Sequence, residues 1–148
     1  MSNSFGPFYT KSMYIPKTEL KKSEIDGTGV FASQRIPKGT IVWKYEPGYD
    51  LSFTVDQFET MDTVQKAELQ HSAYLSPWSG LWICPPPNDP ACFTNHSDRN
   101  NISVKFDVNV SSEPYFMANR DIAIGEEITN DYREFDTTTH LQPPEWTR

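Results

Sequence analysis

A mainly β, loop-rich single domain is the fold class this sequence predicts. Three observations point there. Its 12 Pro outnumber its 7 Gly, its aromatic content is 14%, and its apolar residues fall in short runs separated by turn formers. Such patterning suits short strands and tight turns more than helices. A chain of 148 residues can bury one real core without metal or disulfide staples. No apolar run is long enough for a helix to span a membrane.

Residues 1–13 mix polar and aromatic side chains and suit a loosely docked arm. Tyr14-Ile15-Pro16-Lys17 opens a first strand. In Gly27-Thr28-Gly29, glycine permits backbone angles and close approaches closed to other residues, and a tight hairpin turn explains the pair equally well. No helix and no Gly-Lys-Ser/Thr follows, so this is not a phosphate loop. Arg35-Ile36-Pro37-Lys38-Gly39-Thr40 is a turn, and Ile41-Val42-Trp43-Lys44-Tyr45 is a strand ended by Pro47-Gly48. One helix is predicted, over about residues 54–74. Thr54-x-x-Gln57 fits a capping box, and Val55, Phe58, Met61 and Val64 recur at spacing three. His71 is expected to be a surface histidine near the helix end. Leu81-Trp82-Ile83-Cys84 is a short strand, and Pro85-Pro86-Pro87 forces extended backbone. Residues 102–110 and 114–119 are predicted to pair as a hairpin around Ser111-Ser112-Glu113. Residues 120–128 form a second strand–turn–strand unit with the rhythm of residues 35–42: Ile, a turn, Gly, then an apolar residue. A polar tail, 136–148, closes the chain. There is no internal repeat and no linker.

Net charge is -7 and unevenly spread. Residues 1–45 carry seven Lys/Arg against three Asp/Glu, and residues 46–148 carry six against 17. An acidic body disfavours nucleic acid, whose phosphates need clustered Lys and Arg. It suits a basic partner such as a Lys-rich peptide, though it also serves solubility alone. Cys84 and Cys92, the only cysteines, have seven residues between them, and no Cys/His cluster has zinc spacing. Two buried, reduced thiols are expected. Asn95-His96-Ser97, Asn101-Ile102-Ser103 and Asn109-Val110-Ser111 match the N-glycosylation pattern. The first residues lack a basic-then-apolar export signal, so these matches are taken as chance and an intracellular, non-secreted protein is expected.

Three separated patterns occur in order. Gly27-Thr28-Gly29-Val30-Phe31-Ala32 is followed by Ile36-Pro37-Lys38-Gly39, then by Phe93-Thr94-Asn95-His96-Ser97-x-x-x-Asn101. Last comes Asn119-Arg120-Asp121-Ile122-x-x-Gly125-Glu126-Glu127-Ile128-x-x-Asp131-Tyr132. Together they resemble the SET-domain protein-lysine N-methyltransferase family, in a minimal, free-standing form covering about residues 14–135. Gly-x-Gly alone is weak; Asn-His-Ser-x-x-x-Asn together with Gly-Glu-Glu-Ile-x-x-Asp-Tyr is specific. The resemblance implies a β-clip fold of several small β-sheets, with a knot-like C-terminal threading and one inserted helix, which would be the 54–74 segment. Threading of this kind is rare among folds.

The resemblance also implies a chemistry. The cofactor would be S-adenosyl-L-methionine and the substrate a lysine in a histone or another basic protein. The Thr28/Gly29 backbone would approach the cofactor, which would explain the small residues there. Asn95 and His96 would hold its adenine, with His96 a holder and not a base. Tyr132 would be the catalytic residue, its phenol oxygen beside the sulfonium methyl, where C–H contacts are weak. Tyr45 matches a position that lines the lysine channel in several members, and plain strand packing explains it nearly as well. Pro144-Glu145-Trp146 resembles a segment that closes the site in one subgroup, so Trp146 is a candidate cofactor cover; a frayed tail is the alternative. Three departures stand out. Asn100 replaces a common Pro. Cys92, Phe93 and Thr94 stand where a basic residue often anchors the cofactor carboxylate. Asn130 replaces a Phe or Tyr whose size sets how many methyl groups fit. A catalytically inactive SET-fold module that only binds a peptide or protein partner is the alternative function. Substrate identity, degree of methylation and oligomeric state are left open.

Overall fold

The computed structural model describes residues 13–87 and 89–135. Residues 1–12 of the expected arm, and the whole 136–148 segment with Trp146, lie outside the described residues. Within them the chain is mainly β, with three small sheets.

The first sheet has four strands. β1 (Thr18–Lys22) and β2 (Thr28–Ala32) form an antiparallel hairpin, β10 (Glu127–Asn130) pairs antiparallel with β2, and β7 (Asn95–His96) pairs parallel with β10. The hairpin turns because the Ser23 amide donates to the Gly27 carbonyl at 2.7 Å while Gly27 sits at φ +46°. That backbone region is costly for a residue with a Cβ. The expected strand at 14–17 is a correction: Tyr14 makes only a single bridge to Trp43, and the strand begins at Thr18. Pro16 has no amide hydrogen to continue a ladder.

The second sheet runs β3 (Ile41–Lys44), β9 (Tyr115–Ala118), β8 (Ile102–Lys105). The predicted hairpin partners do pair, in register Ile102↔Ala118 to Lys105↔Tyr115. β8 stops at Lys105 and does not run on to 110. Asp107 turns the chain, accepting the amides of Val110 and Ser111 on its carbonyl and that of Asn109 on its side chain. The two units of similar rhythm pack on each other. Ile36 and Ile122 form a bridge with amide–carbonyl distances of 2.9 and 2.8 Å. Both are fully buried, beside Val30, Val42, Ile102 and Ile128, in the main core. Each such side chain contributes about 1.5–3 kcal/mol. Residues 120–125 are therefore a turn closed by that bridge, and β10 is the strand of the unit.

The third sheet, β4 (Leu51–Phe53), β6 (Trp82–Cys84), β5 (Tyr74–Leu75), carries the helical insert. The single predicted helix is two: α1 (Val55–Glu59) and α2 (Thr63–Ser72). Thr54 and Gln57 form the expected capping box, but Asp62 and Gln65 form a second, so the backbone leaves the helix at Thr60 and starts again. The spacing-three stripe consequently fails to bury as one face. Phe58 is buried and stacks on Trp82 with ring centroids 4.5 Å apart, while Val55 is 44% and Val64 66% exposed.

Candidate active site

The three motif segments, far apart in sequence, meet at one carboxylate. Glu127, on β10, accepts the Ser23 hydroxyl at 2.8 and 2.9 Å and the Asn95 side-chain amide at 2.9 Å. The same Asn95 nitrogen donates to the Asp26 carbonyl at 3.0 Å. The β1–β2 turn, β7 and β10 are thus tied together by charge-assisted bonds. Gly29 is small for this reason: a Cβ there would lie 2.2 Å from Glu127 Oε2 and 2.8 Å from its Cδ. Small size at this position thus also serves a neighbour inside the protein. At Gly27 a Cβ would meet open space, and its positive φ is the local reason for glycine there.

Asn101, last of the Asn-His-Ser-x-x-x-Asn motif, is a pin. It is 1% exposed. Its side chain donates to the Glu127 carbonyl at 2.8 Å and accepts the Thr129 amide at 2.9 Å, while its own amide donates to the Thr129 carbonyl at 3.2 Å. Asn101 therefore pairs with β10 much as a strand would, where β7 has already ended.

Tyr132 opens a 3-10 turn (Tyr132–Glu134) at the end of β10, capped by the Asp131 side chain accepting the Arg133 amide. The Tyr132 amide donates to His96 Nδ1 at 3.2 Å, so the ring proton sits on Nε2, which faces Asp98 Oδ1 at 3.3 Å. Both nitrogens of this buried imidazole are engaged, which fits a holder. Arg133 clasps Asp131 at 2.9 and 2.7 Å and Asp98 at 2.8 Å. The Arg133 hydrogen bonds hold the Asp131 carboxyl below the usual range. The Tyr132 hydroxyl donates to the Thr94 carbonyl at 2.7 Å. Thr94 Oγ1 in turn meets the Tyr14 hydroxyl, whose pKa burial pushes up.

These groups line a cavity of about 270 Å³. Asp26–Thr28 of the hairpin form one side, and Thr94, Asn95 and His96 another. Ile25 and Phe93 supply apolar surface, Tyr132 stands at the wall, and Cys92 and His71 complete it. The volume is close to the lower end for small-molecule sites, about 300 Å³. Apolar surface beside backbone and amide groups fits a nucleoside, with flat faces and polar edges. No Lys or Arg lines the cavity among the described residues.

The SET-domain family pattern matches residues 27–133. The chain belongs to the SET-domain family. The matched stretch holds all three motif segments and ends one residue past Tyr132. Comparison with curated proteins gives no match. Among solved structures, a Plasmodium falciparum protein provisionally named a histone methyltransferase is similar at TM-score 0.54 and 24% identity, over 79% of this chain and 93% of that one. That likeness is one of fold. Family membership supports protein methyl transfer in general terms.

Of the residues expected at the site of this SET domain, Thr28, Asn95, His96 and Tyr132 line one cavity. Gly29 lies behind it on β2. Tyr45 does not line it; the residue is half-buried and packs against the main core, beyond the end of β3. Both cysteines are free, but only Cys84 is fully buried, with its thiol pushed up to about 12 by desolvation. Asn130 is buried, and its amide oxygen has no hydrogen-bond partner among the described residues. Sequence reasoning missed Glu127, Asp131 and Arg133 as the parts that hold Asn95 and Tyr132. The signal was present in the charged residues flanking Gly125 and Tyr132, but Glu127 meets Ser23 and Asn95 from 104 and 32 positions away, and Arg133 meets Asp98 from 35.

Proposed function

We propose that this SET domain transfers a methyl group from S-adenosyl-L-methionine to the ε-amine of a lysine in a basic protein or peptide. The observation that carries the proposal is Tyr132 on a cavity wall, with its hydroxyl proton directed to the Thr94 carbonyl. The phenol oxygen then offers lone pairs rather than a proton, as suits a group that orients polarised C–H groups and an incoming amine. Bound there, the cofactor would supply an electrophilic methyl on sulfur with a good leaving group. Thr28, Asn95 and His96 would hold its nucleoside. Asn95 spends its amide hydrogens on Glu127 and Asp26, so its backbone and amide oxygen are the groups that face a ligand. Exclusion of water favours the neutral amine, the only form that attacks. The acidic chain, at net charge -7, supports a basic substrate.

The lack of Lys or Arg at the described cavity wall favours a second reading, a SET-fold module that binds a partner without transfer. Incubation with methyl-labelled S-adenosyl-L-methionine and mixed histones or cell extract separates them. Label on protein that falls by about 100-fold or more in Tyr132→Phe supports transfer. Cofactor binding without label on any protein supports the second reading, and no cofactor binding ends the first.

A further inference from the structure

α2 ends on the wall of the cavity. His71 lies in its last turn and lines the cavity together with Cys92. The helix end thus meets the cavity beside the position where the family resemblance places a basic residue and this chain has Cys92. The described wall holds two side chains able to carry positive charge, His71 and His96. His96 is committed, with Nδ1 taken by the Tyr132 amide and Nε2 by Asp98. Asp26, on the β1–β2 turn, is the one carboxylate lining the cavity among the described residues, and the chain as a whole is strongly acidic. A bound carboxylate is therefore repelled unless a local cation offsets that field.

We propose that His71, brought in by the helical insert, is the cationic anchor for the carboxylate at the amino-acid end of the cofactor. The inference rests on the cofactor reading above. The other titratable groups around the cavity are Asp26 from the hairpin, Cys92 from the 3-10 turn Pro90–Phe93, His96 from β7 and Tyr132; Glu68 lies one turn back on α2. Among the described lining residues, only His71 and His96 can become cations, and His96 is already held by the Tyr132 amide and Asp98. Imidazole changes charge between about pH 5 and 8. A histidine whose pKa rises on binding favours the complex at low pH, and that advantage is lost as pH rises.

The test is calorimetric binding from about pH 5.5 to about 8.5, using S-adenosylhomocysteine and 5′-methylthioadenosine, which lacks the amino-acid end. The wild-type protein should bind S-adenosylhomocysteine about five- to tenfold more weakly at the high end, with 5′-methylthioadenosine unchanged across the range. His71→Gln should bind S-adenosylhomocysteine weakly at every pH and leave 5′-methylthioadenosine untouched. His71→Arg should restore tight binding without the pH slope. If both ligands bind and His71→Gln keeps wild-type affinity and slope, the anchor is wrong while the cofactor reading stands. If neither ligand binds the wild-type protein, the cofactor reading fails and takes this inference with it. His71 is exposed, so circular dichroism should show both variants folded.

Discussion

The sheet that carries the motifs and the insert that carries α1 and α2 are held by different forces. Around β2, β7 and β10, position is set by directed polar contacts. Glu127 gathers Ser23 and Asn95, Asn101 bonds β10 in both directions, and Asp131 caps the turn of Tyr132. The insert rests on packing: Phe58, Ala73, Trp82 and Cys84 form a small second core, and α2 buries no residue of its own. Hydrogen bonds fix direction to within a fraction of an ångström, as a ligand site needs. A small apolar core fixes only proximity, and it tolerates change on its outer face. The insert is thus the part of the molecule that can alter without disturbing Tyr132.

Four measurements break or sharpen this contrast, in descending order of effect. Asn101→Ala leaves the Thr129 amide and the Glu127 carbonyl without their buried partner. It should cost roughly 2–4 kcal/mol in urea unfolding. A loss under about 0.5 kcal/mol would mean that β10 does not depend on this pin. Gly29→Ala drives a Cβ into Glu127 and should cost about 1–2 kcal/mol while weakening S-adenosylhomocysteine binding. Because one clash causes both effects, the double variant Gly29→Ala/Glu127→Ala should be no less stable than Glu127→Ala; additive losses would point to another obstacle.

Asp131→Asn tests the clasp through pH. The folded carboxyl is held low by Arg133, so its contribution is present above the ordinary carboxylate range and is lost as pH falls through the lowered folded value. The variant should be less stable than wild type at pH 7 by about 1 kcal/mol, with the gap closing as pH falls below the ordinary carboxylate range. A gap that stays constant in thermal unfolding would remove the charge from the account. Val64→Ala, on the exposed outer side of α2, should change stability by no more than about 0.5 kcal/mol. A larger loss would show that the insert is more tightly packed than its surface suggests.

Much of this was legible in the amino-acid order. Turn chemistry announced Gly27, Gly39 and Gly125, all at positive φ, and the first capping box announced α1. The second, Asp62-x-x-Gln65, was as readable as the first, but a continuous apolar spacing of three masked it. The family resemblance carried by the motifs marked Thr28, Asn95, His96 and Tyr132 as one group. What those residues lean on was not legible. Gly29 lies against Glu127, 98 positions later; Asn101 is fixed by carbonyl and amide groups of β10; His71, from the insert, lines the same cavity as Asn95 and Tyr132. Capping and turn preferences act between residues a few positions apart, so the sequence determined where elements start and stop and which motifs accompany them. The partners of Glu127, Asn101 and His71 are chosen only when distant segments close on one another, and that decision belongs to the tertiary structure.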